Sequence, residues 1–149
     1  MIRVKVRTIL EVAKDSIGGA GFGIKYLFDE VPAGAGAVGM ALTGGHFPVE
    51  LKFAGYDALI VEGKAEKPTY VWIKDGEVKF RGAKKLWGMK TTDTQQIIKN
   101  DLKDQNIRVA CIGPAGENQI KIASIINEWR AVGRKGLGAD MNELIRMQL

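Results

Sequence analysis

The stretch Ile112–Ala139, IGPAGENQIKIASIINEWRAVGRKGLGA, decides how the rest of the chain is parsed. Gly113-Pro114 opens a turn. Ile120, Ile122, Ser124 and Ile126 then recur at a spacing of two, which predicts a half-buried strand. The remainder, WRAVGRKGLG, reads as an Arg/Gly-rich loop in which exposed backbone amides stand beside Arg130, Arg134 and Lys135. Glycine lets a backbone N–H come close to a ligand, and arginine meets phosphate with a planar fork. Such a loop suits a phosphorylated or otherwise anionic ligand. A helix is expected after it, over Ala139–Met147.

Working outward, Ile107–Ile112 is a strand by its apolar run. Before it, Ile97, Ile98 and Leu102 form a helical stripe that reaches about Lys103. Thr91 or Thr92 can cap that helix, and Gln95 stands at capping-box spacing from Thr92. One helical turn is expected over Lys84–Gly88. Thr69–Lys74 and Glu77–Arg81 flank Asp75-Gly76, a strong short-range hairpin signal. Gly63–Pro68 is a polar turn. Upstream, Ala58–Val61 is apolar enough to be a central strand, and Gly55-Tyr56-Asp57 turns the chain. Val49, Leu51 and Phe53 alternate with charges and predict another strand. A short strand is also expected around Val38, Met40 and Leu42, within the glycine-rich run Pro32–Gly45.

At the start, Ile2, Val4 and Val6 alternate with Arg3, Lys5 and Arg7 as in a half-buried strand. Thr8–Asp15 extends it or begins a helix. A glycine loop over Ile17–Gly23 and a helical pattern over Ile24–Glu30 follow, stopped at Val31-Pro32. Strands therefore come in runs with few helices between them. That pattern implies an α+β fold with antiparallel or mixed sheets rather than a doubly wound parallel one. Gly18–Gly23 and Gly133–Gly138 share the pattern G-x-x-G-x-G, each downstream of an Ile-Arg-Val strand start. This echo suggests an internal pseudo-repeat.

With 149 residues, one domain is expected, large enough to fold without a disulfide or metal. The net charge is +5, and no five like charges run together, so there is no basic tail. A solvated surface explains most of that charge. Nucleic acid is disfavoured, since no recognised nucleic-acid-binding motif is present. Cys111, the only cysteine, excludes intrachain disulfides and any iron–sulfur cluster ligated by this chain alone. An inert buried thiol and a reducing, cytoplasmic location are the expectation. The N-terminus lacks an apolar signal core, and no apolar run approaches ~20 residues, so no membrane span is expected.

Individual chemical motifs are sparse. G-x-x-G-x-G reverses the order of the dinucleotide fingerprint, and no Walker A motif occurs. His46, the only histidine, is expected at a turn, not on a metal. The carboxylates Glu50, Asp57, Glu62, Glu117, Glu128 and Asp140 are scattered, with no acid–base pair among them. Trp87 and Trp129 could stack on a planar ligand, although core or interface packing is the commoner fate. The residues alone describe a scaffold that cradles an anion or a cofactor, with no complete catalytic apparatus.

Three stretches resemble one known family. They are Gly44-Gly45-His46-Phe47 running into Glu50–Ala58 and Val61–Ala65, then Ile112–Asn118, then Arg130–Ala139. In order and in detail they are similar to the N-terminal domain of the tungsten-containing aldehyde ferredoxin oxidoreductases. The resemblance runs from about Leu42 to Ala139, and more loosely over Ile2–Val4 and Gly18–Leu27. It implies a single domain over residues 1–149 that forms a base for tungstopterin, two molybdopterin-type ligands carrying tungsten. The positions it assigns to cofactor contact are Thr43, Gly44, Gly45, Arg130, Ala131, Gly133 and Arg134.

Departures from the family pattern accompany the resemblance. Family members carry a long segment, with a Gly-Gly-Arg loop, between the regions matching Leu27 and Leu42. Here Pro32–Gly39 stands in its place, an internal deletion around 31–41. Leu42 replaces an Asn, and Trp129 stands where the family has a Gly-His pair. The cysteine-bearing domains that hold the cluster and the proton-transfer residues have no counterpart in this sequence. The chain alone is therefore expected to be catalytically silent. Its expected partners are a second copy of itself or a cysteine-rich oxidoreductase subunit, with ferredoxin reached only through a complete enzyme.

Overall fold

The computed structural model describes residues 3–7, 22–23, 42–62, 65–133, 136–144 and 146–148. In chain order these form strands β1 (Arg3–Arg7), β2 (Phe22–Gly23) and β3 (Leu42–Thr43), then helix α1 (Phe47–Phe53). Strands β4 (Ala58–Glu62), β5 (Thr69–Lys74) and β6 (Glu77–Gly82) precede a 3-10 turn at Lys84–Leu86 and helix α2 (Thr91–Asp101). Next come β7 (Val109–Cys111), helix α3 (Pro114–Glu117), β8 (Ile125–Asn127) and β9 (Arg130–Val132). Helix α4 (Leu137–Leu144) and β10 (Arg146–Gln148) close the series. The fold is α+β, as expected. Its main sheet has the order β6-β5-β10-β7-β8-β9, with β10–β5 parallel and the other pairs antiparallel.

The hairpin forms where Asp75-Gly76 places it. Lys74 pairs with Glu77, and both turn residues have positive φ, 48° and 81°. These are the left-handed values that a two-residue turn between right-twisted strands requires. The middle of the sheet is buried on both faces, which explains the unbroken apolar run Val109–Ile112. On one face, Val71, Ile73, Ala110, Ile112, Ile125 and Val132 pack against Phe47 and Leu51 of α1 and Leu137 and Met141 of α4. On the other, Tyr70, Val109 and Cys111 pack against Ala83, Leu86 and Ile98. Each fully buried large side chain contributes roughly 1.5–3 kcal/mol relative to leaving it in water.

Several expectations are corrected. Val49, Leu51 and Phe53 lie on helix α1, not on a strand. Pro48 suits the first helical turn, and Phe47 and Leu51, four apart, are buried while Phe53 is 78% exposed. Ile120 and Ile122 are not in a strand either. The inward phase runs one residue later, through Ala123, Ile125 and Asn127, and leaves Ile122 84% exposed. Among the described residues β4 pairs only with β1, so it is not central. Helix α2 is capped at Lys90, whose extended backbone opens the helix without a side-chain bond, and the Thr92–Gln95 capping box is absent. The terminal helix begins at Leu137 and gives way to β10 within the span read as helical, because β10 fills the gap between β5 and β7. The expectations over Thr8–Asp15, Gly18–Gly21, Ile24–Glu30 and Val38–Met40 lie outside the described residues. No described helix is long and apolar enough to cross a membrane.

Candidate functional site

Two segments far apart in sequence meet at one end of the main sheet. The first leaves β3 through Gly44-Gly45-His46 and enters α1. The second is the β8–β9 hairpin, whose turn is Glu128-Trp129, with Asn127 paired to Arg130. Gly45 has φ +112°, a conformation open to glycine and strained for other residues. A Cβ there would lie 3.0 Å from Arg130 Cδ and 3.3 Å from Asn127 Nδ2, and one on Gly44 would lie 3.9 Å from Arg130 Nη1. The glycine pair therefore runs along the stem of Arg130, with Gly45 held to glycine by its φ and by close contact with Arg130 and Asn127, and Gly44 in open contact with the guanidinium. Asn127 Nδ2 donates to the Gly44 carbonyl at 3.2 Å, and Thr43 Oγ1 donates to the same oxygen at 3.3 Å.

The hairpin tip is fixed by charge. Arg108 Nη1 donates to Glu128 Oε1 at 2.6 Å, and both side chains are largely shielded from water, at 25% and 16% exposure. Glu128 itself sits at φ +53°. With Glu128 neutralised from behind, Arg130 is left exposed, and among the described residues no salt bridge involves its guanidinium. The result is an outward cation beside the exposed backbone of Gly44, an arrangement able to hold an anionic group.

The structure thus brings Thr43, Gly44, Gly45 and Arg130 together. Ala131 is exposed on β9 beside Arg130, and Gly133 is exposed just beyond the strand. Among the described residues a Cβ on Gly133 would meet only Ser124 Oγ, at 3.5 Å, so their packing does not demand glycine there. Arg134 and Lys135 lie outside the described residues. The later glycines depart from the anion-loop reading. A Cβ on Gly136 (φ +70°) would lie 2.6 Å from the Lys121 carbonyl oxygen, and one on Gly138 would lie 2.6 Å from Ala123 C. The Gly138 amide donates to Ala123 O at 3.1 Å. These two glycines seat the start of α4 against the chain entering β8.

Sequence reasoning missed Asn127, Arg108 and the bearing role of Glu128. Asn127 is 2% exposed, and its Oδ1 is buried with no hydrogen-bond partner. Reading the strand in its true phase would have flagged it as a polar residue facing inward. A groove of about 220 Å³ lies beside the hairpin tip, lined by Thr92, Gln95, Gln96, Lys99, Glu128 and Trp129. Trp129 is 92% exposed and Trp87 46%, so neither is a core residue. His46 is exposed at the N-cap of α1, and the described residues hold no cluster of three potential metal ligands. Cys111 is buried, with Sγ 3.8 Å from the Thr91 carbonyl.

Known proteins match a span that includes both segments. Residues 35–143 match the family described as aldehyde ferredoxin oxidoreductase, N-terminal domain. The chain is 50% identical over 107 residues to the tungsten-containing aldehyde ferredoxin oxidoreductase of Pyrococcus furiosus, covering 71% of this chain and 18% of that protein. The protein of the same name from Thermococcus kodakarensis is likewise 50% identical over 107 residues, with the same coverage. The aliphatic sulfonate oxidoreductase WOR-like subunit of Pyrococcus furiosus is 32% identical over 123 residues, covering 74% of this chain and 20% of that one. Among solved structures, the active site complex BamBC of benzoyl coenzyme A reductase with 1,5-dienoyl-CoA superposes with a TM-score of 0.72 at 35% identity, covering 75% of this chain and 18% of that chain. The chain thus spans about a fifth of the length of these relatives.

Proposed function

The chain belongs to the aldehyde ferredoxin oxidoreductase N-terminal domain family, and from that premise we propose that it forms the cofactor-cradling wall of a tungstopterin oxidoreductase. The contacts would come from Thr43, Gly44, Gly45, Arg130, Ala131, Gly133 and Arg134. The observation that supports this reading is the approach of the Gly44-Gly45 backbone to Arg130, whose Cδ would lie 3.0 Å from a Cβ on Gly45 and whose Nη1 would lie 3.9 Å from one on Gly44. The residues present fit a phosphate-bearing pterin. Arg130 offers a guanidinium fork that no described acid occupies, and the glycine backbone offers a surface without side chains. When bound, a tungsten centre of this kind supplies the two-electron oxidation of an aldehyde to a carboxylic acid. The chain's own part is to bind and orient. With one thiol it cannot ligate an iron–sulfur cluster, so by itself it is catalytically silent. Aldehyde-dependent viologen reduction by the purified chain would overturn that statement.

A second reading is favoured by two of the relatives, one named as a subunit and one solved as a complex. In it the chain is one subunit of an oxidoreductase completed by a separate cysteine-rich polypeptide. Phe53, Ile122 and Trp129, at 78%, 84% and 92% exposure, are apolar side chains that such a partner could bury. A stand-alone oligomer of this chain could bury the same side chains, and light scattering separates the two. The central experiment is elemental analysis of protein purified from its own host for tungsten and molybdenum, with pterin fluorescence after oxidation. Tungsten with a pterin signal is expected. A clean negative would reduce Thr43–Gly45 and Arg130 to structural residues.

A further inference from the structure

Residues 78–92 contain five cations and no acid: Lys79, Arg81, Lys84, Lys85 and Lys90. All five are exposed. They lie along β6, which is an edge of the main sheet among the described residues, and along the turn that follows it. Phe80 and Trp87, 48% and 46% exposed, stand among them. The acid bordering this stretch on the strand is Glu77, which is already paired to Lys79.

The register shows which backbone groups of β6 are unused. Lys74 and Glu77 flank a two-residue turn and form a hydrogen-bonded pair, so alternate residues Glu77, Lys79 and Arg81 bond back to β5. The Ala83 amide donating to Pro68 O at 2.7 Å continues that parity. The N–H and C=O groups of Val78, Phe80 and Gly82 therefore face the outer edge, where no described strand pairs with them. Two of the cations are held in place. Arg81 Cζ lies 4.6 Å and Lys79 Nζ 5.3 Å from the Trp72 ring centroid, so these charges are ordered before any partner arrives.

We propose that the β6 edge and the basic turn after it dock an extended acidic peptide segment of a partner protein by strand addition. A new strand meets both the donors and the acceptors of the edge. A nucleic-acid phosphate meets only donors and is repelled by the edge carbonyls. Side chains of an added strand alternate between the two faces. Acids on one face would reach Lys79 and Arg81, while apolar residues on the other would lie beside Phe80. The expected ligand is thus a strand of alternating acidic and apolar residues. This docking is independent of cofactor binding.

The test uses the full chain and a fluorescently labelled short peptide of alternating Glu and Val. A Ser/Val peptide of equal length and an oligothymidylate of equal charge serve as comparators. Saturable binding of the Glu/Val peptide is expected, weakening about tenfold between low salt and ~0.15 M. Deuterium exchange at the Val78, Phe80 and Gly82 amides should slow on binding. The variant Lys84→Glu/Lys85→Glu, confined to exposed side chains, should lose about tenfold or more in affinity. Phe80→Pro removes an outward N–H and leaves the hairpin bonds intact, so the edge should no longer bind. The proposal is overturned if oligothymidylate binds as tightly as the peptide, if edge exchange is unchanged, or if the charge variant binds equally well.

Discussion

Asn127 Nδ2 donates to the carbonyl of Gly44, 3.2 Å away and 83 residues earlier in the chain. This bond joins the glycine loop to the hairpin that carries Arg130, so the geometry of the cradle depends on a residue that is itself buried. The Asn127 Oδ1 has no partner, which offsets part of the gain from the bond. Asn127→Ala should therefore lower stability by about 1–2 kcal/mol in a urea titration. It should also speed hydrogen exchange in the β8–β9 hairpin. Unchanged exchange there would show that the two segments are held by other contacts.

The glycines downstream give a sharper contrast. Gly136 combines a positive φ with a carbonyl oxygen 2.6 Å from where its Cβ would be, and Gly138 would meet Ala123 backbone at 2.6 Å. A Cβ on Gly133 would meet nothing closer than 3.5 Å among the described residues. Gly136→Ala should destabilise by roughly 1–3 kcal/mol through its strained φ and the carbonyl overlap, and Gly138→Ala by a similar amount through overlap with the Ala123 backbone alone, with Gly133→Ala within about 0.5 kcal/mol of the parent. Thermal unfolding of the three variants decides it. Equally small effects would mean that the loop accommodates a methyl group wherever it falls.

Features with a local cause were legible in the sequence. Asp75-Gly76 needs only its own two φ values to set the hairpin, and Val109–Ile112 reads as buried because both of its faces are. Tertiary choices were not legible. Val49, Leu51 and Phe53 alternate as a strand would, yet Pro48 and the packing of Phe47 with Leu51 favour a helix. Along Ile120–Asn127 two phases of alternation were available, and the one with more isoleucines is the exposed one. Asn127 fixed the other phase through a partner that no local pattern contains. The meeting of Gly44-Gly45 with Arg130 was expected from family resemblance, since spacing alone could not place them together.

The Arg108–Glu128 pair anchors the tip from the opposite side. Both groups are shielded, and Arg108 Nε is buried without a partner, so loss of the carboxylate leaves the guanidinium worse satisfied. Glu128→Gln should cost about 1–3 kcal/mol. A double-mutant cycle with Arg108→Met isolates the coupling, which should persist in high salt because the pair is partly sheltered. Coupling near zero would assign the tip's rigidity to backbone pairing alone.

Glu77 titrates below the ordinary glutamate range because Lys79 donates a hydrogen bond to its carboxylate and stands beside it as a positive charge. The folded value is the depressed one. Its contribution is therefore present above the unfolded glutamate pKa and is lost as pH falls through the folded value. In an NMR titration, Lys79→Met should move the Glu77 midpoint up toward its ordinary value. No movement would show that the pair is not populated in solution.

Arg130 separates binding from folding. It is exposed and no described acid pairs with it, so Arg130→Ala should leave stability within about 0.5 kcal/mol of the parent. Under the tungstopterin reading, the same change removes a forked donor to phosphate, and the tungsten-to-protein ratio of host-expressed protein should fall. Arg130→Lys keeps the charge without the fork and should retain an intermediate amount of metal. Full metal content in Arg130→Ala would move the anion contact to another residue. Loss of metal together with loss of stability would instead make the Arg130 stem, packed along Gly45, a structural strut.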